Sequence, residues 1–221
     1  MRDIIPAITP IASRRIVKKR TILLYQGEIP RTAHIVKSGV IKMYSVNNAG
    51  EEQIVSFQTE GDIFPAPWVF SKVNASLYYY EAITDCEILT VPRQEMLALL
   101  DKDEKLMKSA FEYFVNNYTG LLMRITALEQ ARAIEKILFT LYYLMSRYGK
   151  EVKPGIFQVR LSLTHSIIAS LVGLTRETTA TELNKLRRRG ILTYTTHEYN
   201  IDKEKLERFL GEDSFKDLML S

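Results

Sequence analysis

Cysteine is nearly absent: the 221-residue chain holds one, Cys86. One thiol forms no internal disulfide, supplies no four-thiolate iron–sulfur cluster and closes no Cys-rich zinc site. Histidine is scarce as well, scattered at His34, His165 and His197. No metal site, no cofactor and no catalytic set is therefore expected. Long apolar runs are missing too. Nothing approaches the roughly 18 uncharged apolar residues of a membrane span, and the opening MRDIIPAITPIASRR lacks a signal-peptide core. A soluble, cytoplasmic protein with no membrane partner is expected. Charge of one sign does not dominate: 30 Lys and Arg against 26 Asp and Glu leave +4 at pH 7, a mild bias toward a polyanionic partner. What is present is ordinary for a folded chain, 46% hydrophobic and 25% charged residues, which excludes extensive disorder.

Residues from about 20 to 100 read as β-structure. The short apolar runs TILLY, HIVKSG, VIKMYSV, QIVSF and CEILTV alternate with turn signals, the pattern of a sandwich or barrel-like roll. Gly27, Gly39, Gly50 and Gly61 recur at intervals of 12, 11 and 11, each beside an expected turn where positive φ suits glycine. The basic cluster RRIVKKR (14–20) precedes these runs and reads as a solvated surface stretch.

A single long helix is expected over about 104–130. Met107, Phe111, Phe114, Tyr118, Leu121, Ile125 and Leu128 are spaced 4, 3, 4, 3, 4, 3, an unbroken a/d seam over three heptads. A second copy of the same helix fits such a seam, so these seven residues are the expected homodimer interface. Gly120 would permit close approach of the partner or carry no special role.

From about 132 onward the chain reads as helices with a short β-element. An apolar helix ends at Gly149, then come KEVKPG and a strand IFQVRL. Thr164 is placed to cap a helix SIIASLV, Gly173 to end it, and Thr175 to cap the next helix. Two helices joined by a tight glycine turn form a helix-turn-helix. Ile168, Val172, Leu174, Leu183 and Leu186 supply its packing. On the other face Arg176, Ala180 and Asn184 form one row, and Glu177, Thr181, Lys185 and Arg188 the next. Arg donates twice to guanine, Glu accepts from cytosine, and Thr or Ala meets a thymine methyl. Arg176, Glu177 and Thr181 are thus the expected base-reading residues. Five basic side chains (Arg176, Lys185, Arg187, Arg188, Arg189) stand against Glu177 and Glu182, where phosphates would flank the helix. Thr175, Lys185, Arg187 and Arg188 are the expected backbone contacts. After Gly190, ILTYTTHEYNI reads as a hairpin wing, and Asp202 caps a closing helix.

Over nearly its whole length the chain resembles the CRP/FNR family of bacterial transcription regulators. The resemblance is carried by YQGE (25–28), IVKSGVIKMY (35–44), GEEQIVSFQTEGDIF (50–64), TDCEILTV (84–91), the long helix, and VGLTRETTATELNKL (172–186). It implies an α+β fold: an N-terminal double-stranded β-helix roll of the cyclic-nucleotide-binding kind (1–103), a dimerisation helix (104–131) and a C-terminal winged helix-turn-helix (132–221). By the same resemblance Arg176 and Glu177 match base-reading positions, and Thr164 and His165 match positions that touch phosphate. Double-stranded DNA with a near-palindromic operator, a second copy of the chain and RNA polymerase are the implied partners. Thr181 departs from the pattern, since many relatives carry a second base-reading Arg there, so a different half-site is expected.

The roll departs further. Relatives that bind cyclic nucleotides carry a Gly-Glu pair for the ribose and an Arg-Ser/Thr pair for the phosphate. Here GDIFPAPWVF places Pro65 and Ala66 at the first pair, and ASLYYYEAITDCE places Ser76 and Leu77 at the second. No Arg or Lys lies between Lys72 and Arg93, and a buried phosphate without a cation is costly to desolvate. Phe64, Trp68, Phe70, Tyr78, Tyr79 and Tyr80 stand there instead. They read either as a filled core or as a pocket for an unidentified apolar or aromatic effector. Two alternatives to a regulator without a cyclic nucleotide are a cyclic-nucleotide-responsive member of the same family and a cupin-like small-molecule enzyme. The latter needs clustered metal ligands, and the roll has only His34.

Overall fold

The computed structural model describes residues 4–71, 73–195 and 198–211. The chain divides into two compact units, Met1–Phe114 and Val115–Ser221. The division falls inside the long helix.

The first unit begins with a short helix, α1 (Ile4–Ile8). Eight strands follow: β1 (Ser13–Val17), β2 (Ile22–Leu24), β3 (Ala33–Ser38), β4 (Ile41–Val46), β5 (Glu52–Gln58), β6 (Ile63–Phe64), β7 (Tyr79–Ala82) and β8 (Cys86–Val91). They form two antiparallel four-stranded sheets, ordered β1-β8-β3-β6 and β2-β7-β4-β5. Between the sheets lie Val17, Leu24, Val36, Ile41, Phe64, Tyr80, Cys86 and Ile88. The outer face of the first sheet is covered by α1, by α2 (Ala66–Phe70), by α3 (Arg93–Lys102) and by the start of α4 (Glu104–Glu129), through Ile35, Leu89, Val91, Val69, Met96, Leu100 and Ala110. Strand β8 thus has apolar residues on both faces, which is why CEILTV reads as continuous rather than alternating. The turn glycines Gly27, Gly39, Gly50 and Gly61 all have φ between 80° and 92°. At Gly39 a Cβ would also lie 2.5 Å from the carbonyl oxygen of Asp85, so both conformation and space demand glycine there.

One reading of the sequence is corrected. RRIVKKR is not a stretch ahead of the roll: its first half is β1, paired in register with β8 from Ser13↔Thr90 to Val17↔Cys86. The strand gives no hydrophobic signal because Ser13 to Ile16 are exposed and only Val17 is buried. Arg14 and Lys18 pair with Glu87 and Asp85. In the second unit, the lysine-rich start of KEVKPG, which the sequence left unassigned, forms an exposed strand.

That unit holds the rest of α4, then α5 (Ala133–Tyr148), β9 (Gly149–Lys153), β10 (Ile156–Val159), α6 (His165–Val172), α7 (Arg176–Arg188), β11 (Leu192–Tyr194), β12 (Tyr199–Asp202) and α8 (Lys203–Leu210). The strands form one antiparallel sheet, β11-β12-β10-β9. Leu138, Leu141, Leu144, Ile168, Val172, Leu183, Leu186, Ile191 and Ile201 are buried. The helix ends follow the local chemistry. Thr164 Oγ1 accepts from the Ile167 N–H, Thr175 Oγ1 from Thr178, and an Asp202 carboxylate oxygen from Lys205; each satisfies an amide without an intrahelical partner. Gly173 closes α6 in the left-handed conformation, and Leu174 N–H returns to the Ala169 carbonyl. The buried Arg124 of α4 donates to the Leu171 carbonyl at the end of α6, 2.7 Å away. Gly120 is buried.

Candidate nucleic-acid interface

The caps and the αL turn hold α6 and α7 as a helix pair, and burial decides which face of α7 is free. Thr179, Leu183 and Leu186 are buried. Arg176, Glu177, Thr181, Lys185, Arg187 and Arg188 are exposed, with Ala180 and Asn184 half-buried between them. The outward face is therefore polar, basic at its C-terminal end and formed of small residues in its middle.

The expected backbone residues have distinct surroundings. The exposed Thr164 and Thr175 use a hydroxyl lone pair for capping, and Thr175 also donates to Thr178 Oγ1 at 2.9 Å. Lys185 pairs with Glu182 at 2.7 Å. Arg187 lies over the Tyr194 ring, 5.6 Å from its centroid, and Arg189 over Phe209 at 4.8 Å. His165 is half-buried, with Nε2 3.2 Å from the Tyr194 hydroxyl. Partial burial holds its pKa below the usual histidine value, reinforced by the Arg176 and Arg187 charges.

Tyr194 and Asn184 carry roles that sequence reasoning missed. The Tyr194 hydroxyl donates to Asn184 Oδ1 at 3.4 Å, and its ring stacks on Tyr199 at 4.9 Å, 9° from parallel. The available signal was the cross-strand pair Tyr194↔Tyr199, hidden because the hairpin reads simply as a wing. The hairpin tip, including His197, lies outside the described residues.

Along α4 the heptad residues lie mostly on one open face. Phe111 is 68% exposed, Tyr118 63% and Ile125 52%, and Met107, Leu121 and Leu128 are exposed as well. Val115 and Leu122, also exposed, widen the stripe. Phe114 departs from it. It is half-buried and meets Phe70 edge-on at 4.7 Å, packing within the first unit.

The six aromatics of the roll do not form one neighbourhood. Phe64 and Tyr80 stack between the sheets at 5.0 Å, with Tyr78 against the same cluster. Trp68 and Phe70 pack on the helix-covered outer face. Tyr79 turns away to stack on Tyr44 at 5.1 Å. His34 stacks on Phe64 at 5.0 Å; burial pushes its pKa down to about 4, and its buried Nδ1 has no hydrogen-bond partner. Ser76 is buried and donates to the Tyr78 carbonyl at 2.7 Å, and Leu77 is exposed. Arg93 donates to the Val69 and Ser71 carbonyls at the end of α2. Among the described residues no group of three His, Cys, Asp or Glu could hold a metal, and no helix is long and apolar enough to cross a membrane.

Residues 14–103 match the cyclic nucleotide-binding domain family, and residues 135–209 the Crp-like helix-turn-helix domain family. The anaerobic regulatory protein of Pasteurella multocida is 27% identical over 183 residues, covering 83% of this chain and 66% of that protein. The fumarate and nitrate reduction regulatory protein of Escherichia coli is 25% identical over 195 residues, covering 86% and 76%. Thus the chain spans about two thirds to three quarters of the length of these relatives. In fold it matches FixK2 from Bradyrhizobium japonicum, with a TM-score of 0.75 at 19% identity over 92% of this chain and 100% of that one. It also matches a CooA mutant from Carboxydothermus hydrogenoformans, with a TM-score of 0.73 at 21% identity over 95% and 90%.

Proposed function

Because the chain belongs to the CRP/FNR family of transcription regulators, we propose that it acts as a homodimer which reads a near-palindromic DNA site with α7 and takes no cyclic nucleotide in its roll. The carrying observation is the burial pattern of α7. Its leucines face inward while Arg176, Glu177, Thr181, Lys185 and Arg188 face out. In this reading Arg176, Glu177 and Thr181 meet base edges. Thr164, His165, Thr175, Lys185, Arg187 and Arg188 meet the sugar-phosphate backbone. The relatives are regulators rather than enzymes. RNA polymerase is the further partner this reading assigns, and the cytoplasm its place of action.

The backbone role has a direct readout. Arg188→Ala is expected to weaken binding to all duplexes by about the same factor and to reduce the slope of log affinity against log salt by about one. A fluorescence-anisotropy salt series measures both. An unchanged slope removes Arg188 from the backbone contacts.

The roll keeps the family's sheet framework without its phosphate chemistry. The Ser76 hydroxyl is spent on a backbone carbonyl, the Leu77 side chain offers no donor, and Phe64 and Tyr80 stack in the interior. An anionic phosphate placed there would lose its hydration with no cation to replace it. Titration calorimetry with cyclic AMP and cyclic GMP is expected to show no binding below millimolar concentration. Micromolar affinity for either overturns this part of the reading.

A further inference from the structure

We propose that Tyr194 is a positioning residue for the DNA contact at His165: with Asn184 it holds the imidazole as a donor at Nε2, so that Nδ1 donates to a phosphate only when the ring carries a second proton. The proposal rests on the DNA-binding reading above.

A count of hydrogens leads to it. Asn184 Oδ1 can only accept, so the single phenol proton goes to it across 3.4 Å. The phenol oxygen is then an acceptor, and His165 Nε2, 3.2 Å away, must bring the hydrogen. A neutral ring with its proton on Nε2 leaves Nδ1 with only a lone pair, which repels any phosphate oxygen brought against it. The cationic ring keeps the Nε2–H bond to Tyr194 and gains a donor at Nδ1. The tyrosine cannot simply turn away, for its ring is stacked on Tyr199 and covered by the Arg187 guanidinium.

Electrostatics give the sign. The charged groups facing the ring are Arg176 and Arg187 of α7, and Tyr194 of β11 is the other titratable neighbour. Partial burial and the two guanidinium charges disfavour the cation in the free protein. A phosphate between these groups offsets their repulsion and favours it, so the bound pKa lies above the free one. DNA affinity is then highest below the free pKa, falls as pH rises through the window between the two, and levels off above the bound pKa. Within the window the change approaches about tenfold per pH unit for each protomer.

The test is duplex binding by anisotropy from pH 5.5 to 8.5 at fixed ionic strength, using a mixed-sequence duplex. Wild type is expected to bind more tightly as pH falls. His165→Gln should flatten the profile, and His165→Arg should bind tightly and flatly. Tyr194→Phe preserves the ring stack but frees the imidazole to carry its proton on Nδ1. Asn184→Ala, on a different element, frees the phenol proton to point at Nε2. Both should flatten the profile while keeping the high-pH affinity at or above that of wild type. If Tyr194→Phe lowers affinity by the same factor at every pH, the tyrosine is only a strut and the proposal fails. Identical profiles for wild type and His165→Gln overturn it while leaving DNA binding intact. A wild type that binds no duplex at any pH overturns the DNA-binding reading, and the proposal with it.

Discussion

Replacing Leu121 and Ile125 together by lysine is expected to turn the protein into monomers and to remove tight binding to a two-half-site operator. Both side chains lie on the open stripe of α4, where Phe111, Val115, Tyr118, Leu122 and Leu128 are also exposed. A run of this length in water is the kind of apolar patch that marks an interface. Apposing two such stripes covers the part of Leu121 and Ile125 still in water, 42% and 52% of each, and so gains about half of the roughly 1.5–3 kcal/mol that burying such a side chain completely contributes. Lysine at both places puts four ammonium groups into one seam, each losing water without a partner, at a cost of several kcal/mol per ion. The monomer itself should fold normally, because both residues lie on the exposed side of α4 and a lysine there can carry its ammonium group into water. Sedimentation velocity at micromolar concentration should therefore show a dimer for wild type and a monomer for the double variant, with equal helicity by circular dichroism. A monomeric wild type would remove the proposed interface, and a dimeric variant would move it off this stripe.

The second large effect is at Arg176. Its guanidinium is exposed at the first turn of α7, the part of a recognition helix that enters the major groove. A bidentate contact to guanine contributes about 1–3 kcal/mol of discrimination. Two protomers double this, so Arg176→Ala should weaken operator binding by roughly 2–6 kcal/mol and relax one base position in each half-site. Affinity for scrambled DNA should change far less, because a base contact is made only where the matching guanine stands, whereas a phosphate contact would be lost equally from every sequence. A parallel loss on operator and scrambled duplexes would place Arg176 on the backbone instead. Glu177→Ala should affect preference more than affinity, since a carboxylate near phosphates is repelled unless a base amine receives it.

The helix-turn-helix was legible in the sequence because its boundaries are set by local chemistry. Thr164, Gly173, Thr175 and Asp202 cap or end helices through atoms within a few residues, and all four do so in the structure. The turn glycines were legible for the same reason. Elements whose form depends on distant partners were not. Strand β1 is held by β8, about 70 residues away, and its exposed face gives no hydrophobic alternation. Phe114 keeps the heptad spacing yet packs on Phe70, because periodicity places a residue on a face without saying what covers it. Tyr78, Tyr79 and Tyr80 are adjacent in sequence, but successive side chains of a strand point to opposite faces. Tyr79 therefore leaves the interior that Tyr80 enters. The Asn184–Tyr194–His165 relay joins three elements, and no spacing rule brings them together.

The claim that a dimer reads DNA with α7 is tested most directly by selecting bound duplexes from a random-sequence pool with the purified protein and sequencing them. The account predicts enrichment of two inverted half-sites with centres about one helical turn apart, roughly 34 Å, each with a guanine whose preference is lost in Arg176→Ala. Enrichment of an unpaired single site, or no enrichment over the starting pool, would contradict it.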